Sequence, residues 1–260
     1  MIFKAIKTII KRKELLVTLL CILTLSCANP TKDKDILGLK GEVKECHETR
    51  YDAQKKDGKW TKSYIQQYAF ENFYMNIEGN YDSIKYKDQD NKIIMYLIPE
   101  RKDGRIDVEK IFDADGQLMY SQKYQYYSDF ETYYEKLTPN GLKEMEFRVS
   151  YDIYHRIKSM KYKLFTYKQK VDSSIDDKKN KALKSSQKPI DISNYDVKYT
   201  YKDGHIESIQ TSLEDNISYT ISYEYLEFDS YDNWIKRVEK YSDGYNKRYT
   251  YVTHEISYYQ

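Results

Sequence analysis

From Leu37 onward, large and polar side chains alternate along the chain with a period of two. Val197, Tyr199 and Tyr201 fall on one face of a five-residue run. Tyr219, Ile221, Tyr223 and Tyr225 do the same, with Thr, Ser and Glu opposite, and Tyr249 and Tyr251 repeat the pattern near the C-terminus. Alternation built from Tyr, Ile, Val and Thr predicts half-buried strands. No window after residue 26 carries convincing helical periodicity. The best candidate, Asp129–Leu137, is short, tyrosine-rich and ended by Thr138-Pro139, and it reads as strand.

Turn signals separate the strands. Asp57-Gly58, Asp103-Gly104, Asp115-Gly116, Asn140-Gly141, Asp203-Gly204 and Asp243-Gly244 are Asx-Gly pairs, and they hold six of the nine glycines. Glycine accepts positive φ without steric cost and Asx bonds its own backbone, so each pair predicts a reversal. A longer unit recurs around several of them: an aromatic, an acid, a turn, then an apolar residue. Phe112-Asp113 to Leu118, Tyr151-Asp152 to Ile157 and Phe228-Asp229 to Ile235 are copies; Tyr201 to Ile206 is a shortened one and Phe70-Glu71 to Ile77 a degenerate one. This repeat resembles the YD repeats of Rhs-type bacterial proteins. Leu39-Lys-Gly41-Glu-Val43-Lys44 and Asn233-Trp234-Ile235-Lys236-Arg237 are similar to the opening and closing motifs of a group of bacterial lipoproteins. The resemblance spans 37–260 and implies a β-meander fold and no chemistry. Where that family often has glycine, His155 and Asp232 stand here. Repeated hairpins that cannot bury their own faces should stack. The expected fold is therefore all-β: an antiparallel β-meander forming one large twisted or curved sheet, with a half-barrel as its most curved form.

Composition changes this picture at the N-terminus. Lys4, Lys7, Lys11, Arg12 and Lys13 precede an apolar run, Leu15–Leu25. That run is short for a bilayer span and fits a signal peptide over 1–26. Leu23-Thr-Leu-Ser-Cys27 resembles the lipobox of bacterial lipoproteins, with Thr24 where the family prefers Leu. The resemblance implies diacylglycerol on Cys27. Cleavage without lipidation and a plain N-terminal anchor are the alternatives. Removing 1–26 takes away five bases and one acid, so the net charge falls from +2 to −2. Nucleic acid is not an expected partner. Residues 27–36 read as a polar tether and 37–260 as one repeat domain, with a flexible Asp/Lys/Ser-rich insertion at about 172–188. With Cys27 acylated, Cys46 has no disulfide partner.

The chain has 30 Tyr among 260 residues. Tyrosines on strands can fill a core, stabilise a wet sheet, or present a binding face. Trp60, Trp234, Tyr241, Tyr245, Tyr249 and Tyr251 are the candidate face. The chemistry-bearing residues give less. His47, His155, His205 and His254 read as turn and surface histidines, and Cys46-His47 point to opposite faces of a strand. Asp88-Gln-Asp90-Asn91 and Asp113-Ala-Asp115-Gly116 lack the closing Glu of a calcium loop and read as turns. Ser185-Ser-Gln-Lys188 lies in the polar insertion and not at a helix start. No metal, no cofactor and no catalytic residue is assigned, although glycan-active carboxylate pairs stay open. The expected function is a non-enzymatic binding or scaffold lipoprotein of the bacterial outer membrane, on the periplasmic side or the cell surface. Its expected partners are the membrane, through the Cys27 lipid, and a protein or glycan of the envelope. The alternative is a carrier of lipid or another hydrophobic ligand.

Overall fold

The computed structural model describes residues 32–167, 188–213 and 216–260. Cys27, the signal peptide and most of the 172–188 insertion lie outside the described residues. A one-turn helix, α1 (Asp33–Ile36), is followed by fourteen strands: β1 Val43–Lys56, β2 Lys59–Met75, β3 Tyr81–Lys87, β4 Ile93–Lys102, β5 Arg105–Asp113, β6 Leu118–Ser128, β7 Glu131–Leu137, β8 Lys143–Tyr151, β9 Ile157–Thr166, β10 Asp191–Lys202, β11 His205–Leu213, β12 Asn216–Phe228, β13 Trp234–Ser242 and β14 Lys247–Tyr258. Each pairs antiparallel with the next, as a meander must.

The sheet does not stay open. β1 pairs with β14 from Val43↔Tyr258 to Asp52↔Thr250, and the ladder closes into a barrel. This corrects the expectation of a curved sheet or half-barrel. Closure removes both sheet edges and satisfies their backbone groups. No local signal in either strand announces it, because the two partners are some 200 residues apart.

One turn geometry recurs six times. Residue i is Asn76, Asp88, Asp113, Thr138, Asp152 or Asp229. Its amide binds the carbonyl of residue i+4, and the amide of i+3 binds its carbonyl. Its side-chain oxygen also accepts from the amide of i+4, at 2.8 Å from Gln117 to Asp113 and 2.9 Å from Asn233 to Asp229. Position i+3 has positive φ. It is glycine in three copies, but Asn91, His155 and Asp232 hold it at φ 62, 59 and 64. His155 and Asp232 thus occupy the glycine position of the repeat. The copy expected at Phe70–Ile77 is displaced: Phe70 and Glu71 lie within β2, and the turn is Asn76–Asn80. Asp57-Gly58, Asp103-Gly104 and Asp203-Gly204 are different. Both residues of each pair have positive φ, which is the two-residue type I′ hairpin.

Alternation sorts the residues into two walls. Inside lie Leu39, Val43, Cys46, Met75, Ile84, Leu97 and Ile106, all buried in one cluster. Outside, ion pairs run across the strands: Lys110–Glu100, Lys143–Glu135, Lys163–Glu146, Arg148–Glu131, Lys161–Asp196, Lys236–Glu227 and Lys240–Glu224. A membrane-spanning barrel turns an apolar band outward. This wall is charged instead, and suits water.

Residues 32–42 close one end. Asp33 is buried; its carboxylate accepts the Tyr81 amide at 3.0 Å and pairs with Arg101. The Lys40 amide donates to Asn233 Oδ1 at 2.6 Å, and Asn233 Nδ2 returns a bond to the Lys40 carbonyl at 3.0 Å. Residues 32–36, expected as the end of a free tether, are therefore packed onto the barrel, because Asp33 finds a donor set that water would otherwise have to supply.

Candidate functional site: the inner wall and the barrel mouth

The inner wall of β6–β10 carries a ladder of rings. Tyr124, Tyr134, Phe147, Tyr162 and Tyr195 are successive register partners. Their centroids are 4.8, 4.4, 5.6 and 4.6 Å apart, and all four contacts are stacked. Neighbouring strands lie about 4.8 Å apart, so identical parity on adjacent strands brings rings to stacking distance. At the β6 end the Tyr124 hydroxyl donates to Glu109 at 2.5 Å, and the Tyr81 hydroxyl binds the same carboxylate. Burial raises the Glu109 carboxyl against these bonds. Beyond Tyr195 the ladder meets Leu213 on β11. It resumes with Tyr219 and Tyr241 on β12 and β13, 5.4 Å apart. Burial pushes the Tyr162 hydroxyl up to about 12, so it is a neutral donor at physiological pH.

A buried ionic cluster occupies the wall where the barrel closes. Arg50 bridges Glu48 at 2.6 Å and Glu239 at 2.8 Å, and Arg237 holds the other oxygen of Glu239 at 2.5 Å. His254 Nε2 lies 3.0 Å from Glu48. Burial keeps the His254 imidazole below its ordinary value. The contact is accordingly a hydrogen bond from a neutral ring, with Nδ1 left without a partner. Burial opposes the Glu48 charge, but the His254 bond and the Arg50 and Arg237 charges outweigh it and hold the carboxyl at about 2. The guanidinium of Arg237 lies 3.8 Å from the Trp234 ring centroid and 4.8 Å from that of Tyr223. His254, expected as a turn or surface histidine, is thus buried on the inner wall. Its parity with Val252, two residues earlier, is the signal that locates it.

At the opposite end from α1, the β1–β2 hairpin runs past the rim. Pairing of β1 with β14 stops at Asp52, and the register of β1 with β2 shifts between Thr49 and Tyr51 and again before Ala53. The hairpin bends there and reaches the outer wall. Trp60 Nε1 donates to Glu224 at 2.9 Å, and its ring meets Tyr249 at 5.2 Å. Between hairpin and rim is a cleft of about 730 Å³, lined by Asp52, Gln66, Glu239, Tyr241, Arg248 and Thr250 among others.

The six candidate face residues do not form one stripe. Trp60, Tyr241 and Tyr249 gather at this mouth. Trp234 is buried in the ionic cluster, 3.5 Å between ring centroids from His254. Tyr245 is 98% exposed at a turn tip, and Tyr251 pairs with Tyr51 on the outer wall. The sequence reading missed the inner ladder at Tyr134, Phe147 and Tyr162, whose alternation is legible but whose alignment across strands is not. The carboxylates of Asp88 and Asp113 are spent on turn amides. Among the described residues no group of His, Cys, Asp and Glu is placed to hold a metal ion. No helix of the described residues is long and apolar enough to cross a membrane.

No family model matches the chain. No curated protein matches it. Among solved structures, a porin-like protein from Bacteroides uniformis ATCC 8492 aligns with 84% of this chain and 98% of its own, at 9% identity and a TM-score of 0.43. A porin-like protein from Bacteroides vulgatus ATCC 8482 has the same coverage and TM-score at 10% identity. The TcdB2-TccC3-Cdc42 structure aligns with 77% of this chain and 14% of its own, at 12% identity and a TM-score of 0.20. Likenesses this distant leave the function to be argued from the wall and mouth themselves.

Proposed function

We propose that this chain is an exported bacterial lipoprotein, anchored through Cys27, whose barrel is a non-enzymatic binding module for a glycan strand of the envelope. The observation that carries the binding role is the ring ladder on the inner side of a wall that is charged outside. The stacked rings cover one another's faces and present hydroxyl donors along their free edges, and Tyr241 carries aromatic surface into a cleft with Asp52, Gln66 and Arg248. That combination suits sugar rings, which present apolar faces and peripheral hydroxyls. The lipid anchor is supported by the lipobox at Leu23–Cys27. The corresponding place is the outer membrane, on its periplasmic side or at the cell surface.

A second reading, a carrier of an apolar ligand, is favoured by Met145 and Leu164, which are register partners beside the ladder on the same wall. One experiment separates the two. The full chain is purified from membranes, screened on a glycan array and analysed by native mass spectrometry. Glycan binding that falls at least about tenfold in Tyr162→Ala/Tyr195→Ala supports the first reading, since base or ring stacking contributes about 1–3 kcal/mol per ring. Co-purifying lipid that the same double variant releases supports the second. A folded protein with neither ligand refutes both. Cys27→Ala should abolish acyl labelling; persistent labelling would refute the anchor.

A further inference from the structure

A meander of even strand number sends alternate turns to opposite ends of the barrel. The β2–β3, β6–β7, β8–β9 and β12–β13 turns share one end with α1 and the C-terminus. The β3–β4, β5–β6, β7–β8 and β13–β14 turns share the other. The six-fold turn appears three times at each end, so its tips can be compared directly. At the α1 end the two tip residues are Ile77-Glu78, Ile153-Tyr154 and Ser230-Tyr231. At the other end they are Gln89-Asp90, Ala114-Asp115 and Pro139-Asn140. The backbone is the same and the chemistry is opposite. Ile77 is 61% exposed, Ile153 76%, Tyr154 69% and Tyr231 49%. Nothing in the turn's hydrogen bonding asks for these residues, because its bonds come from position i and the backbone.

The apolar tips are also continuous with other exposed groups at the same end. Phe130, on the β6–β7 turn, stacks on His155 at 5.5 Å, which joins it to Ile153 and Tyr154. Exposed Ile36 ends α1 and exposed Leu37 follows it, and the Lys34 amide of this helix binds the Gly79 carbonyl in the turn that carries Ile77. The charges between the tips are of both signs: Arg105–Asp129 and Arg156–Asp152 are paired, and the β4–β5 and β10–β11 hairpin tips at the same end expose Lys102-Asp103 and Lys202-Asp203. At the other end the exposed apolar groups of the described connections, Ile190 before β10 and Tyr245 on the β13–β14 turn, lie outside the repeated turn.

Exposed apolar patches rimmed by polar residues mark contacts with membranes or proteins. Here the chain itself selects between them. It enters the barrel at Lys32, at the apolar end, and Cys27 lies five residues earlier, a reach of about 17 Å when extended. We propose that this end of the barrel, through Ile77, Phe130, Ile153, Tyr154 and Tyr231, docks on a lipid bilayer surface, with the cleft-bearing mouth turned away from it. Tyrosines and isoleucines on loop tips sit at the headgroup–acyl boundary, and charge of both signs sets no requirement for anionic lipid. The docking face deepens the lipoprotein reading: the anchor supplies the tether and the tips set the orientation.

The test uses the full chain with two added reporters, Tyr154→Trp at the apolar end and Asn140→Trp at the other. Each is reconstituted with phosphatidylcholine vesicles brominated on the acyl chains. Emission added by Tyr154→Trp, relative to the parent with Trp60 and Trp234, should be quenched at least about threefold more than that added by Asn140→Trp. Equal or reversed quenching overturns the proposal. Acyl labelling of Cys27 in the same samples keeps the two readings apart. Quenching without labelling leaves the docking face and removes the anchor, while labelling without quenching does the reverse. Ile153→Ser/Tyr154→Ser should lower the quenching of an Ile77→Trp reporter without moving the thermal midpoint. Shielding of Tyr154→Trp from iodide that grows with protein concentration in the absence of vesicles would assign this end to a second copy and overturn the proposal.

Discussion

Glu48 and Glu71 are register partners across β1 and β2, so two carboxyls face each other on the inner wall. They cannot both ionise cheaply, and their surroundings separate them. Glu48 takes Arg50, Arg237 and His254, and stays charged. Glu71 is left with burial, the Glu48 charge and a bond from the Tyr86 hydroxyl, and its carboxyl rises to about 7. The consequences for stability have opposite signs. The Glu48 contribution is present above pH 4.5 and is lost as pH falls toward 2. Glu71 is protonated in both states below 4.5; between 4.5 and 7 only the unfolded chain releases its proton, so stability falls as pH rises through that window. Glu71→Gln should therefore raise stability at pH 8 by about 3 kcal/mol and change little at pH 4.5, because each pH unit of that window costs the folded protein about 1.4 kcal/mol. Urea midpoints at the two pH values check this, and an equal effect at both would contradict the assignment. Glu48 and Glu71 are invisible as a pair in the sequence. Each shares parity with a core residue, Cys46 or Phe73, but only the register sets one against the other.

At the scale of elements, the repeated turn is the unit that organises the chain, and its side-chain acceptor is the part that can be removed. Asp113 accepts from Asp115 and Gln117, both at an exposed turn. Asp229 accepts from Tyr231 and Asn233, and also from the Tyr258 hydroxyl that ties the turn to the C-terminal strand. Asp113→Ala should cost about 1 kcal/mol and Asp229→Ala about 2–3 kcal/mol, since buried partners left unsatisfied cost more than exposed ones. Denaturant unfolding of both variants measures the difference; equal costs would deny the tie to β14. The β1–β2 hairpin is a second unit, held to the outer wall by Trp60. Trp60→Ala should raise amide exchange over 53–62 at least about tenfold, which corresponds to losing about 1.4 kcal/mol of local stability, and leave β6–β10 unchanged. A global rise in exchange would mean that the hairpin belongs to the barrel's cooperative core. The strand read over Asp129–Leu137 is present as β7, Glu131–Leu137, and alternation likewise marks the strands at Val197–Tyr201, Tyr219–Tyr225 and Tyr249–Tyr251. The bend of the hairpin is not legible in this way, because it arises from register shifts that no periodicity displays.

At the scale of the molecule, closure is the decisive step. β1 and β14 bring Cys46, Glu48 and Arg50 beside Ile256, His254 and Val252, and this seam builds the ionic cluster. Removing residues 247–260 should leave β1 and β13 as free edges and expose Val238 and Glu239. Loss of the cooperative thermal transition followed by circular dichroism is expected; a retained sharp transition would show that the sheet is stable without closure. The cluster, the capped end and the mouth all depend on this seam, since each joins residues from both termini.

The residues alone establish that the chain from Leu37 onward is an antiparallel meander with one side of each strand apolar, and where it reverses. The period of two and the Asx-Gly chemistry are local, acting within a few residues. His155 and Asp232 could be aligned with the glycines by that logic too, because Asp and His tolerate the left-handed region better than bulkier residues do. Whether the meander closes, which wall faces water, and which rings stack are set by pairings between distant strands. Those pairings depend on the register and twist accumulated over all fourteen strands. The tertiary structure therefore decides that the tyrosines line an interior, that Glu71 opposes Glu48, and that the apolar turn tips share the end at which the chain enters.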